Sequence, residues 1–138
     1  MRNSLSYITL GVSDLPAALR FYRDGLGLET EGLQGDAATD SAAVFFRLPH
    51  NMVLALWPRE SLARQCGVEP GPAAASQIML AHNVANRQDV DELLARAEAA
   101  GARVTRPASH FAWGGYGGCF LTPDQHLWEI VWSPTRNS

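Results

Sequence analysis

The chain spells one structural unit twice. The stretch "FFRLPHNMVLALW" (45–57) lies on "CFLTPDQHLWEIV" (119–131) without a gap. Pro49 then falls on Pro123, Phe46 on Phe120 and Ala55 on Glu129. The opening segments match as well: "YITLGV" falls on "MLAHNV", so Tyr7 meets Met79 and Val12 meets Val84. Each half therefore reads β-α-β-β-β. A single half cannot cover both faces of its own sheet, so an internal repeat of this kind implies two halves in one domain.

The local signals agree. "LSYITLGV" (5–12) alternates and carries β-branched residues, the pattern of a strand. In "SDLPAALRFYRDGLG", Ser13 or Asp14 can cap a helix, Pro16 suits its first turn, and Gly25 and Gly27 stop it. "LETEGL" reads as a short strand and "QGDAATDS" as a polar loop. "AAVFFRL" and "MVLALW" form a hairpin across "PHN", and "PRESLARQCG" a short helix. Module one covers about 5–66, a Pro/Gly/Ala-rich linker about 67–76, and module two about 77–133. In the second module Asn86 can cap "RQDVDELLARAEAA", whose Val90, Leu93, Leu94 and Ala97 form an apolar stripe. "ARVT" is a strand, "RPASHFAWGG" a loop, and "YGGCFLT" and "LWEIVW" a second hairpin. The expected architecture is α+β: two βαβββ modules forming a curved mixed sheet, helices on the outer face, a cleft on the inner one.

Length and charge set limits on function. A chain of 138 residues suits one domain with a self-sufficient core. A net charge of −3 argues against nucleic acid or an anionic membrane as partner. Cys66 and Cys119 match no zinc spacing and read as free thiols of a reducing cytosol. No stretch reads as a signal peptide or a membrane span, so a cytoplasmic location is expected.

Strand alternation sorts the side chains. Ile8, Leu10 and Val12 should pack under the first helix, and Leu80, His82 and Val84 under the second. Tyr7, Thr9, Gly11, Met79, Ala81 and Asn83 then face the cleft. So do Val53, Ala55 and Trp57 in one closing strand and Leu127, Glu129 and Val131 in the other. Phe46, Trp57, Trp113 and Tyr116 could stack on a flat ligand, Trp113 and Tyr116 lying over the cleft mouth on the "WGGYGG" glycines. Apolar walls with Tyr7, Thr9, Asn83 and Glu129 as polar groups make a small-molecule pocket.

The phrases "FYRDGLGLE" and "DQHLWEI", set in this repeat, resemble the vicinal oxygen chelate superfamily, which includes glyoxalase I, extradiol dioxygenases, fosfomycin-resistance enzymes and bleomycin-resistance proteins. The resemblance covers nearly the whole chain and implies the fold above. It also implies, for enzymes of the superfamily, one divalent metal held by residues of the opening and closing strands. Those positions here are Tyr7, Ala55, Met79 and Glu129. Only Glu129 is a suitable hard ligand. On this basis no metal or other cofactor is expected; if a metal were present, Glu129 with His82 or His110 would hold it.

Glu129 thus has three readings: anchor for a ligand, partner of Tyr7, Asn83 or a backbone amide, or general base. The expected function is metal-free binding of a partly apolar small molecule in the cleft. The alternative is a lyase, isomerase or dioxygenase of glyoxalase type, using a metal or Glu129 as general base. A homodimer is expected from the resemblance, with the cleft formed within one chain or across the dimer.

Overall fold

The computed structural model describes residues 1–71 and 78–135. The expected linker from residue 72 to 76 lies outside them. The chain divides into two compact units, Met1–Pro72 and Ala73–Ser138. Each is built on its own four-stranded mixed sheet, and the fold class is α+β as expected.

The first unit runs β1 (Tyr7–Val12), α1 (Leu15–Leu19), β2 (Leu33–Gln34), β3 (Ala43–Leu48), β4 (Met52–Pro58) and α2 (Arg59–Cys66). Asp14 caps α1 by accepting the Ala17 amide at 3.0 Å, with Pro16 in the first turn. The helix widens to π geometry over Arg20–Gly25, and Gly27 turns the chain out at φ +82°. The sheet order is β1-β4-β3-β2, with β1 parallel to β4 and the rest antiparallel. Parallel pairing of first and last strands needs a crossover, and the intervening helix supplies it.

Register decides which residues lie under that helix. His50 and Asn51 both take positive φ, 63° and 61°, so the β3–β4 connection is tight and pairs Leu48 with Met52. Val44 and Leu56, and Phe46 and Leu54, then share the face that also carries Leu10 and Ile8. Tyr22 packs on Phe46 there, their ring centroids 5.7 Å apart. Phe46 is 1 % exposed. It is a core residue on the helix side and does not face the open side, contrary to the sequence reading. Thr9, Ala55, Phe45, Tyr7, Val53 and Arg47 form the open face instead. The helix α2 is the exception to helices on one face. A Cβ at Gly11, on the open face, would meet Arg59 Cγ at 3.1 Å and Leu62 Cδ2 at 3.4 Å. Asp40 ties α2 to the loop before β3. It takes Arg64 on both carboxylate oxygens at 2.7 and 2.9 Å, and that guanidinium holds its carboxyl below the usual carboxylate range.

The second unit runs β5 (Met79–Asn83), α3 (Arg87–Ala99), β6 (Arg103–His110), β7 (Tyr116–Leu121) and β8 (Leu127–Trp132). Its order, β5-β8-β7-β6, repeats the first. Asn86 caps α3 by accepting the Asp89 amide at 2.8 Å, and Val90, Leu94 and Ala97 are buried against the sheet. Ala81, Glu129 and Cys119 stand in register as Thr9, Ala55 and Phe45 do, so the gap-free superposition of the hairpins is the structural one.

Three local expectations are corrected. The strand expected over 28–33 is confined to Leu33–Gln34. The strand expected to end at Thr105 continues to His110, with two register shifts that absorb Pro107. Proline is tolerated there because β6 is an edge strand and bulged. His82 is exposed, because α3 packs over β6, β7 and β8 and leaves β5 at the edge uncovered.

Phe46 and Phe45 are adjacent and should behave differently. Phe46→Ala should cost about 3–5 kcal/mol by denaturant unfolding, the usual range for a buried phenylalanine. Phe45→Ala, on the half-exposed face, should cost clearly less. Equal losses would contradict the register.

Candidate functional site

The open face of the first unit carries a concave pocket of about 470 Å³, lined by Tyr7, Glu29, Thr30, Glu31, Gln34, Phe45, Arg47 and Val53. That volume lies within the span of about 300–1,000 Å³ common for small-molecule sites. The floor is strand surface: Tyr7 of β1, Val53 of β4, and Phe45 and Arg47 of β3. The rim is the segment from Glu29 to Gln34. It is fastened to the floor because Thr30 Oγ1 donates to the Phe45 carbonyl at 2.6 Å and accepts the Gly32 amide at 3.2 Å. Gly32 has φ +89°, which glycine adopts without strain. Gln34 Nε2 donates to Glu31 at 3.2 Å.

The open face of the second unit answers what Glu129 meets. Its carboxylate lies 3.7 Å from the Arg106 guanidinium, and its side chain is 22 % exposed. Arg106 comes from the bulged part of β6, opposite Cys119, and lies over the Phe111 ring at 4.5 Å. Phe111 stacks on Trp113, centroids 5.5 Å apart. The turn that permits this closes with Phe111 N donating to Gly115 O at 2.8 Å. Any Cβ at Gly115 would collide with the Trp113 ring. Trp113 remains 60 % exposed. Burial pushes the Cys119 thiol above its ordinary value, with Arg106 opposing and Glu129 reinforcing the rise. The rise disfavours the thiolate form that a nucleophilic cysteine needs.

The expected site residues separate into groups. Tyr7 lines the first unit's pocket, and register places Thr9 and Trp57 on the same face. Met79, Asn83 and Glu129 share the open face of the second unit, and the Phe111–Trp113 stack stands on that side, Phe111 Cε2 lying 3.2 Å from where a Gly117 Cβ would be. Tyr116 belongs elsewhere. It alternates to the helix side, donates its hydroxyl to Asp91 of α3 at 2.6 Å, and packs on His110 at 4.9 Å between centroids. It does not lie at a cleft mouth. Phe46 is core, as above.

A divalent metal of the kind the resemblance implies does not fit these donors. Ala55 has no ligand atom and is fully buried. Tyr7 and Met79 are poor ligands for a hard cation, and Glu129 already faces Arg106. The fallback ligands do not converge. His82 pairs with Ile130 and so points to the face opposite Glu129, and His110 packs on the helix-side Tyr116. Among the described residues no group of three or more His, Cys, Asp and Glu side chains is placed to hold an ion. No helix among them is long and apolar enough to cross a membrane.

Sequence reasoning missed Arg47, Phe45, Glu29, Glu31 and Arg106. The first two were legible: the three-residue turn sets Arg47 opposite Val53 and Phe45 opposite Ala55. Arg106 was not, because bulges around a proline hide the strand that carries it.

A sequence model of the Glyoxalase/Bleomycin resistance protein/Dioxygenase superfamily matches residues 4–130. No curated protein matches the chain. Among solved structures, a glyoxalase-related enzyme from Fulvimarina pelagi is 34 % identical, with TM-score 0.84, over 96 % of this chain and 90 % of that one. A lactoylglutathione lyase from Agrobacterium tumefaciens is 25 % identical, with TM-score 0.68, over 96 % and 95 %. A glyoxalase/bleomycin resistance protein/dioxygenase family enzyme from Burkholderia phytofirmans PsJN is 18 % identical, with TM-score 0.70, over 92 % and 96 %, and shares the fold.

The hydrogen bond to Asp91, with the burial and charge beside it, raises the Tyr116 phenol above the ordinary tyrosine value of 10.0. A phenol donates only while protonated. The bond therefore contributes stability below the unfolded tyrosine pKa and loses it as pH rises through the raised value. Alkaline titration of tyrosinate absorbance, with Tyr116→Phe as the subtraction control, should show Tyr116 ionising late and returning toward 10.0 in Asp91→Asn. An unchanged titration in Asp91→Asn would mean that the bond does not form in solution.

Proposed function

Because the chain belongs to the Glyoxalase/Bleomycin resistance protein/Dioxygenase superfamily, we propose that it holds a small, partly apolar molecule against its open sheet faces without a resident metal ion. The observation that carries this reading is the donor inventory. Of Tyr7, Ala55, Met79 and Glu129, only the last could bind a hard cation, and it faces Arg106 at 3.7 Å. A catalytic metal site keeps about three protein ligands, which this set does not supply. What the faces do supply is a lined pocket in the first unit and an Arg106–Phe111–Trp113 stack in the second. Glu129 in this reading is a ligand anchor, with Arg106 as its resting partner.

A second reading is favoured by two of the similar structures, a glyoxalase-related enzyme and a lactoylglutathione lyase. Here Glu129 is a general base in a metal-free lyase or isomerase. Its carboxylate would take a proton from a bound carbon acid, and Arg106 would hold the carboxylate in place beforehand.

Elemental analysis separates these from a metal enzyme. Untagged protein offered nickel, zinc, manganese and iron(II) should retain only substoichiometric ion, and Glu129→Ala should behave identically. One ion per chain, lost in Glu129→Ala, would overturn the proposal. Turnover without metal, with a bell-shaped pH profile lost in Glu129→Gln, would select the second reading.

A further inference from the structure

In the first unit, charges of opposite sign face one cavity and do not meet. Arg47 stands on β3, Glu29 and Glu31 stand on the rim, and all three line the same pocket of about 470 Å³. Yet the ion pairs of this unit, among the described residues, are Arg23–Asp24 and Arg64–Asp40. The bond to Glu31 comes from neutral Gln34, and neither Arg47 nor Glu29 has a side-chain partner among the described residues. Exposed ion pairs gain little net free energy in water, so these charges are left available to a ligand that meets both signs at once.

The backbone explains why they stand apart. Thr30 lies between the two glutamates and is bonded to the Phe45 carbonyl, one residue before Phe46 and two before Arg47. Leu33 and Gln34 then pair with Val44 and Ala43, away from Arg47 along β3. The rim is thus pinned on both sides of Glu31. The same pocket is floored by Phe45, Tyr7 and Val53, an aromatic and aliphatic surface.

We propose that this pocket takes a small zwitterion: a carboxylate against Arg47, an ammonium group against Glu29 and Glu31, and an apolar body over Phe45, Tyr7 and Val53. This rests on the reading that the chain binds a small molecule. Arginine offers parallel donors that match a carboxylate. Tyr7, 59 % exposed, adds an aromatic face to the pocket floor for the apolar body. A ligand of one sign would leave the opposite charge facing it, so the arrangement selects for both signs together.

The test is calorimetric titration of the full chain with dipeptides of glycine with phenylalanine or tyrosine, each with free termini, N-acetylated or C-amidated. Free dipeptides should bind, and blocking either end should weaken binding about 10- to 100-fold, the usual yield of a charge-assisted bond. Arg47→Gln should abolish the preference for acid over amide, and Glu29→Gln with Glu31→Gln the preference for amine over N-acetyl. These side chains are exposed, and unfolding curves should confirm that the variants fold. Equal binding of free and blocked forms overturns the zwitterion while leaving small-molecule binding intact. So does the failure of every dipeptide when an uncharged aromatic such as indole still shifts the Tyr7 and Phe45 resonances. If neither dipeptide nor indole shifts those resonances, the zwitterion and the underlying binding reading both fall.

Discussion

Parallel pairing of the first strand with the last, in each half, is the constraint from which the rest follows. It forces a helical crossover, and the crossover covers one face of the sheet. Every second side chain of β1, β4 and β3 is then committed to a core, and the intervening ones are left for other uses. The tight turn at His50 and Asn51 removes the remaining freedom, because a slip of one residue would exchange Phe46 for Phe45 beneath Tyr22.

The two halves use this scaffold differently. In the first, the position opposite Thr9 is Ala55, buried and without chemistry, and polar character moves outward to Arg47 and the pinned rim. In the second, the equivalent position is Glu129, and the edge strand bulges to bring Arg106 beside it. An arginine thus stands on each open face, Arg47 in the first unit and Arg106 in the second. Arg47 stands clear of its carboxylates, whereas Arg106 is held between Glu129 and the Phe111 ring. Gly118 makes the bulge feasible, since a Cβ there would approach the Arg106 carbonyl to 2.7 Å.

Much of this was legible beforehand where the signal is local. Asp14 and Asn86 cap the helices that their spacing announces, and the turns at 49–51 and 123–126 join the expected hairpins. The site was legible in part. Tyr7, Thr9 and Trp57 lie on the open face by simple alternation, as do Met79, Asn83 and Glu129. Phe46 and Tyr116 were misplaced because aromatic character was read ahead of parity. His82 was misplaced because alternation says which way a side chain points, not whether a helix reaches far enough to cover it.

The sequence by itself determined the repeat, the order of elements in each half, the helix caps and the hairpins. All of these rest on periodicity and turn chemistry within a few residues of chain. Only the tertiary structure decided that Glu129 meets Arg106, that Tyr116 serves α3, and that Arg47 shares a pocket with Glu29 and Glu31 without pairing. Those relations join residues brought together by cross-strand register and bulges. A one-residue insertion shifts such contacts, and the local pattern does not record it.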